Sequence, residues 1–236
     1  MNKKICAILI AAVFTASVQA QFSIGARAGF NLTNFSEKGY DGKALDKEDK
    51  SSFKPGFQVG IVGDYAISEA FSIQPGLIFA QQGATMWKDD DSDAKMAMNL
   101  NYLQIPINAQ YKLNFGSASL LLQAGPYVGF GIGGRMNFWG EDGKKISDND
   151  LNEGDGEKDW FKIKFGSDKE KHDLKGLDFG VGLGLGVQFG AIQVGVGYNL
   201  GLMNLEHKWD DDYKGSTKNN GLTFTLTYLF GGGDKY

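Results

Sequence analysis

The sequence predicts an all-β fold: an eight-stranded antiparallel up-and-down transmembrane β-barrel with short periplasmic turns and four long extracellular loops. Three observations predict it. First, large apolar residues alternate with small or polar ones along eight stretches of about ten residues or more. Side chains alternate sides along a strand, so this is period-two amphipathicity. A strand in a globular protein is usually about five or six residues long, whereas a tilted strand crossing a bilayer needs about 9–11. Second, the connections run long, short, long, short, which is the rhythm of outer-membrane barrels. Third, the faces opposite the aliphatic ones are glycine, hydroxyl, amide and a few charges. They lack the bulk that a water-soluble sandwich or a lipocalin-like binder would need.

The stretch 176–205 shows the pattern best. Phe179, Val181, Leu183, Leu185, Val187 and Phe189 share one face, and Asp178, Gly180, Gly182, Gly184, Gly186 and Gln188 the other. After a turn at Gly190 and Ala191, Ile192, Val194, Val196, Tyr198, Leu200 and Leu202 oppose Gln193, Gly195, Gly197, Asn199 and Gly201. These are the sixth and seventh strands.

The other six follow the same rule. Residues 22–32 alternate Phe22, Ile24, Ala26, Ala28, Phe30 and Leu32 with Ser23, Gly25, Arg27, Gly29 and Asn31. Residues 53–65 set Phe53, Phe57, Val59, Ile61 and Tyr65 against Lys54, Gln58 and Asp64. Residues 71–81 turn Phe71, Ile73, Leu77 and Phe79 outward. Residues 100–113 oppose Leu103, Ile105, Ile107, Ala109, Tyr111 and Leu113 to Gln104, Asn108, Gln110 and Lys112. Residues 118–133 place Leu120, Leu122, Ala124, Val128, Phe130 and Ile132 opposite Gln123, Tyr127 and several glycines. Residues 220–230 alternate Leu222, Phe224, Leu226, Tyr228 and Phe230 with Thr223, Thr225 and Thr227. Val62, Ile78, Leu121 and Leu229 break the pattern and point inward. The short connections are 66–70, 114–117 and the turn at Gly190; the polar loops are 33–52, 82–99, 134–175 and 203–219. Aromatics gather at both strand ends, Phe22, Tyr65, Phe71, Tyr111, Phe115, Phe189 and Phe230 near the short turns and Phe30, Phe53, Phe79, Phe138 and Phe179 near the long loops. Two interfacial girdles would give this.

Composition agrees. The chain of 236 residues has 34 glycines, 4 prolines and 13% aromatics. Residues 1–20 read as a cleaved secretory signal peptide: Lys3 and Lys4, then an apolar run, then Val18-Gln19-Ala20 before the cut. The barrel domain is then 21–236, located in the outer membrane with both mature termini periplasmic. Cys6, the single cysteine, falls in that leader. Without Lys3 and Lys4, 22 basic face 28 acidic residues, a formal charge of −6. Such a balance argues against a nucleic-acid partner. No run of eighteen apolar residues follows the leader.

Several short motifs resemble the PorT-like outer-membrane β-barrel proteins common in Bacteroidota. They are Tyr102-Leu103-Gln104-Ile105-Pro106-Ile107, Gly125-Pro126-Tyr127-Val128-Gly129, Asp178-Phe179-Gly180, Tyr198-Asn199-Leu200-Gly201-Leu202 and Gly25-Ala26-Arg27-Ala28-Gly29-Phe30-Asn31. The resemblance implies an eight-stranded outer-membrane barrel. The family's named member is linked to protein secretion across the outer membrane.

Candidate chemistry is sparse. Asp148, Asp150 and Asn152 begin like a calcium loop, but Glu153 stands where glycine belongs and Asp159 where glutamate belongs. The runs 89–93 and 210–212 read as solvated acidic loops. His172 and His207 lie in predicted loops, with Ser167 and Asp173 beside His172, and no catalytic role is assigned to them. Gly182, Gly184 and Gly186 lie within a strand, so a nucleotide-binding loop fails on context. The inward polar residues Arg27, Lys54, Gln58, Asp64, Gln123, Arg135, Asp178 and Gln188, with Asn199, should fill the lumen of so small a barrel. Buried charges there must pair, and Asp178 should pair with Arg27, Lys54 or Arg135.

The expected function is a non-enzymatic structural or interaction barrel without an open pore or cofactor, monomeric, in contact with outer-membrane lipid and lipopolysaccharide and with outer-membrane protein partners. The alternatives are a component of a transport or secretion assembly and a lipid-modifying enzyme.

Overall fold

The computed structural model describes residues 21–46, 50–89, 91–146, 162–208 and 212–230. They form ten strands: β1 (Phe22–Lys38), β2 (Lys54–Ala66), β3 (Phe71–Lys88), β4 (Lys95–Phe115), β5 (Ala118–Trp139), β6 (Lys145–Ile146), β7 (Lys162–Ile163), β8 (Leu177–Phe189), β9 (Ile192–Gly201) and β10 (Ser216–Phe230). All strand ladders are antiparallel and lie in one sheet, ordered β4-β3-β2-β1-β10-β9-β8-β5-β6. A further β4–β5 ladder returns that order upon itself, so the sheet closes. The two-residue strands β6 and β7 each pair with β5.

The alternation read from the sequence is the alternation of burial. Along β1, Ser23, Gly25, Arg27 and Asn31 are buried while Phe22, Ile24 and Phe30 are exposed. The outward aliphatics are more than surface-level: Ile61 is 58% and Leu183 66% exposed. Exposed apolar neighbours meet in register across the strands, Ile61 with Leu77 and Leu185 with Val196. The outward face is therefore a continuous apolar band, far larger than the isolated patches of a water-soluble monomer. Rings lie toward both margins of the band: Phe57 and Phe79 pair at 5.7 Å, Tyr228 and Phe230 at 5.2 Å. Inside, Val62, Ile78 and Leu229 form a small cluster with Ala80, and Leu121 is also buried.

The strands run further toward the long loops than the sequence reading placed them. β1 reaches Lys38, β3 Lys88 and β5 Trp139, while β4 begins at Lys95 and β10 at Ser216. The reason is a change of solvent. Beyond the apolar band the alternation inverts: Asn99 and Asn101 lie outside, and Leu100 and Tyr102 inside. Phe35, Ala84, Leu100, Tyr102, Ile163, Leu174 and Leu205 form a buried apolar cluster there. A ladder of hydrogen bonds continues across that boundary, but the apolar-out signal that marks it in the sequence does not.

Two glycines are required by backbone geometry. Gly190, with φ of 53°, makes the two-residue turn between Phe189 and Ile192. Gly83 has φ of 136°, and a Cβ there would lie 1.9 Å from the Met98 carbonyl oxygen. The substitution Gly83→Val should therefore lower the unfolding free energy by about 1–3 kcal/mol, read as an earlier midpoint in urea titration of the protein in lipid vesicles.

Candidate functional site: the lumen and its loop-end cap

Toward the short-turn end β1, β2, β3, β4, β8, β9 and β10 project polar side chains into the lumen from alternate positions. Lys112 of β4 meets Asp64 of β2 at 3.0 Å, both buried. Ser72 of β3, between them, donates to the other oxygen of Asp64 at 2.9 Å. A directional chain crosses the interior beside this pair. Arg27 donates to Thr227 through Nε at 2.9 Å and to Gln74 Oε1 through Nη2. Gln74 Nε2 donates to Gln193 Oε1 at 3.2 Å, and Gln193 Nε2 to Gln188 Oε1 at 3.1 Å. Gln188 Nε2 ends the chain on the Gly190 carbonyl at 2.9 Å. Since a guanidinium only donates, Arg27 fixes the sense of each amide after it.

Mid-lumen, a cavity of about 70 Å³ is lined by Gln58, Gln104, Gln123, Tyr127 and Asn199 and by the glycines of β8 and β9. Toward the loops, Asp178 accepts from Tyr127 Oη at 3.3 Å and from Asn219 Nδ2 at 3.0 Å. Above it sits the apolar cluster, closed by Leu174, Ile163 and Leu205 from the loop segments, with Phe165 against Tyr102 at 5.5 Å. The described residues of the last loop bond to one another. Glu206 accepts from Tyr213 Oη and Thr217 Oγ1, and Asn204 caps the backbone of Glu206 and Thr217. Burial, reinforced by the hydrogen bond to Glu206, pushes the Tyr213 phenol up to about 12.

The sequence-predicted residues divide. Arg27, Asp64, Asp178 and Gln188 are buried inside, and Gln58 and Gln123 line the central cavity. Lys54 stays near the rim, its Nζ on the Pro55 carbonyl at 3.1 Å. Arg135 is a correction: it is exposed on the outer face. In the β4–β5 ladder Tyr102 faces Gly131 and Asn101 faces Gly133, so Ile132 is an extra residue. One added residue exchanges the two faces for everything beyond it. The expected partner of Asp178 is also corrected, since Tyr127 and Asn219 hold it rather than Arg27, Lys54 or Arg135. Asp148, Asp150 and Asn152 lie outside the described residues. Among the described residues, no group of three or more His, Cys, Asp or Glu could hold a metal ion. His172 Nδ1 sits 3.1 Å from the Asp168 carbonyl, and His207 is buried rather than solvated.

Lys112, Gln193 and Thr227 stand on the inward faces in the sequence but were left out of the lumen network, and Gln74 was not singled out. The signal for Gln74 was present, because it directly follows the outward Ile73 on its strand. Replacing Lys112 by Met leaves Asp64 buried without its ammonium. We expect a loss of about 3–5 kcal/mol in urea unfolding from vesicles, with most of it recovered in the Lys112→Met, Asp64→Asn double variant.

The family described as "Outer membrane protein beta-barrel domain" matches residues 16–206. No curated protein matches the chain. Among solved structures, Ail, the attachment invasion locus protein of Yersinia pestis, aligns at 15% identity and TM-score 0.40, over 89% of this chain and 99% of that one. Neisserial surface protein A aligns at 12% and 0.39, over 89% and 97%. The N-terminal barrel domain of Pseudomonas aeruginosa OprF aligns at 7% and 0.33, over 88% and 97%. No activity is carried over from these three.

Proposed function

Because this chain belongs to the outer membrane protein β-barrel domain family, we propose that it is a monomeric integral barrel of the outer membrane with a closed lumen, acting as a structural or interaction protein. The observation that carries the reading is the exposed apolar band around the sheet. Aliphatic side chains such as Ile61 and Leu183 at mid-strand are stable only against lipid. In this reading the eight long strands form the membrane wall. The short turns and both mature termini face the periplasm, residues 1–20 are the leader removed on export, and the loops face outside. The Asp64–Lys112 pair and the Arg27 chain serve as a plug and not as the lining of a channel. Outside, lysines and carboxylates interspersed on the loops meet lipopolysaccharide and neighbouring proteins. The role is non-enzymatic.

A second reading is favoured by the strands that rise past the band. β3, β4 and β5 stay paired as far as Lys88, Lys95 and Trp139, and Trp87 at their tip is 53% exposed. A rigid ladder ending in an exposed indole suits docking to another protein, as in a transport or secretion assembly. The PorT-like motifs of β4 and β5 are in keeping with that role.

Membrane residence is tested by one substitution and one fractionation. Leu183→Arg places a charge near the bilayer midplane and should lower the unfolding free energy in vesicles by about 2–4 kcal/mol. The wild-type protein should require detergent for extraction; recovery with the free periplasmic proteins overturns the reading. In planar bilayers the wild type should give no stepwise conductance, whereas steady unitary steps would refute the plug. Affinity capture from detergent-solubilised outer membranes then separates the two roles. A lone barrel supports the first, and stoichiometric co-purifying subunits the second.

A further inference from the structure

The extra residue that carries Arg135 outside also changes what lies above the apolar band on that flank. Leu103 of β4, Phe130 of β5 and Leu177 of β8 form one register row at the loop-side margin of the band, and Phe130 and Leu177 are exposed. Next along β5 comes Ile132, also exposed. Beyond it the face turns cationic. Arg135 is exposed, and its partner in the β5–β7 ladder is Lys162; directly opposed residues project to the same side of a sheet. Ile163 turns inward and is buried, so Lys164 returns to the outer face, where it is exposed. At Gly133 the face is open, since a Cβ there would touch nothing within 4 Å.

Neither Arg135 nor Lys164 has an ion pair among the described residues. One carboxylate borders them, Asp173, whose Oδ2 accepts from the Lys164 backbone N–H at 2.8 Å. Lys175, two residues before Leu177, adds a cation whose Nζ donates to the Asn204 carbonyl at 3.3 Å. Lysines at the loop turns differ: Lys43 is tied to Asp41 at 2.9 Å and Lys144 to Asp142 at 3.0 Å.

Depth decides what such a face meets. A strand rises about 3.3 Å per residue, so Arg135 leaves the backbone about 10 Å along the strand from Ile132, and tilt makes the climb shorter. The interfacial layer of a bilayer is about 5–7 Å deep on each side. Arg135 and Lys164 therefore stand at headgroup depth, and Phe130, Ile132 and Leu177 at acyl depth. A guanidinium takes phosphate with two parallel bonds, and an ammonium takes it as a point charge.

Resting on the outer-membrane reading above, which turns this end toward the outer leaflet, we propose that the outer face of β5 and β7 seats one lipopolysaccharide molecule. Arg135 and Lys164 hold a lipid A phosphate over the gap at Gly133, and Phe130, Ile132 and Leu177 lie against its acyl chains. The contact with lipopolysaccharide is thereby confined to one flank of the barrel.

The test inserts the full mature chain into phosphatidylcholine vesicles, with EDTA present, and follows thermal unfolding by heat-dependent electrophoretic mobility. Lipopolysaccharide mixed into the vesicles should raise the wild-type midpoint, and dephosphorylated lipopolysaccharide should not. Each variant is measured against its own midpoint in phosphatidylcholine alone. The Arg135→Gln, Lys164→Gln double variant should lose most of the rise. The Lys43→Gln, Lys144→Gln double variant, which removes the same charge, should keep it. An equal rise in both double variants overturns the seat and assigns the effect to net charge. A rise that survives dephosphorylation overturns it in favour of the sugars or acyl chains. An equal rise with inorganic phosphate in place of lipopolysaccharide assigns a free-anion site, and a rise with polyglutamate but not with lipopolysaccharide assigns a docking surface for acidic protein; either overturns the lipid. Insertion is read separately, as retention by the vesicles in an alkaline wash. A wild type that is retained but gives no rise refutes the seat and leaves the barrel reading intact, whereas one that is washed off refutes both.

Discussion

The first and last strands of this chain are neighbours. From Ile24 paired with Phe230 to Lys38 paired with Ser216, β1 and β10 form a continuous antiparallel seam. Without it both strands would present a row of unpaired backbone donors and acceptors, which hydrocarbon cannot satisfy and which invites pairing with other chains. Closure makes two surfaces out of one sheet, and the period-two sequence sorts onto them. Aliphatic side chains go outward, glycine and polar side chains inward. The bulk allowed inside is set by the ring, which is why Gly25, Gly29 and Gly221 flank the seam where a Cβ would meet opposing backbone within 3 Å.

The interior then has to be made self-consistent. A ring of this size leaves room for side chains but for little water, so the inward polar side chains are tied largely to one another. The Arg27 chain links β1, β10, β3, β9 and β8, and the Asp64 cluster links β2, β3 and β4. Three of them, Arg27 to Gln74, Gln74 to Gln193 and Lys112 to Asp64, cross the lumen between strands that are not ladder neighbours, and so they resist flattening of the ring. The loop end uses a different means, an apolar core of the kind found in water-soluble proteins. One chain thus changes its solvent rule partway along its strands.

That change sets what could be read in advance. Strand identity, the short turns and the inward Arg27, Asp64, Asp178 and Gln188 were legible because each depends on local alternation. The inward hydrophobics Val62, Ile78, Leu121 and Leu229 were legible as exceptions to it. Strand ends beyond the apolar band were not, since Leu100 and Tyr102 reverse the pattern there and only the solvent explains why. Arg135 was placed on the wrong face because a single extra residue, Ile132, carries no compositional mark. Pairing within the lumen was the least legible. Which inward residue meets which depends on ring geometry, and Asp64 finds Lys112 two strands away.

The chain of amides from Arg27 to Gly190 has a further property. An isolated glutamine side chain can sit with oxygen and nitrogen exchanged at little difference in energy, so three linked glutamines would ordinarily sample several arrangements. The guanidinium at one end has no lone pair to offer, and the peptide oxygen at the other has no proton to give. Between two such fixed ends only one arrangement satisfies every link. Gln74, Gln193 and Gln188 are held to a single orientational state by the chemistry of two residues at the termini of the chain.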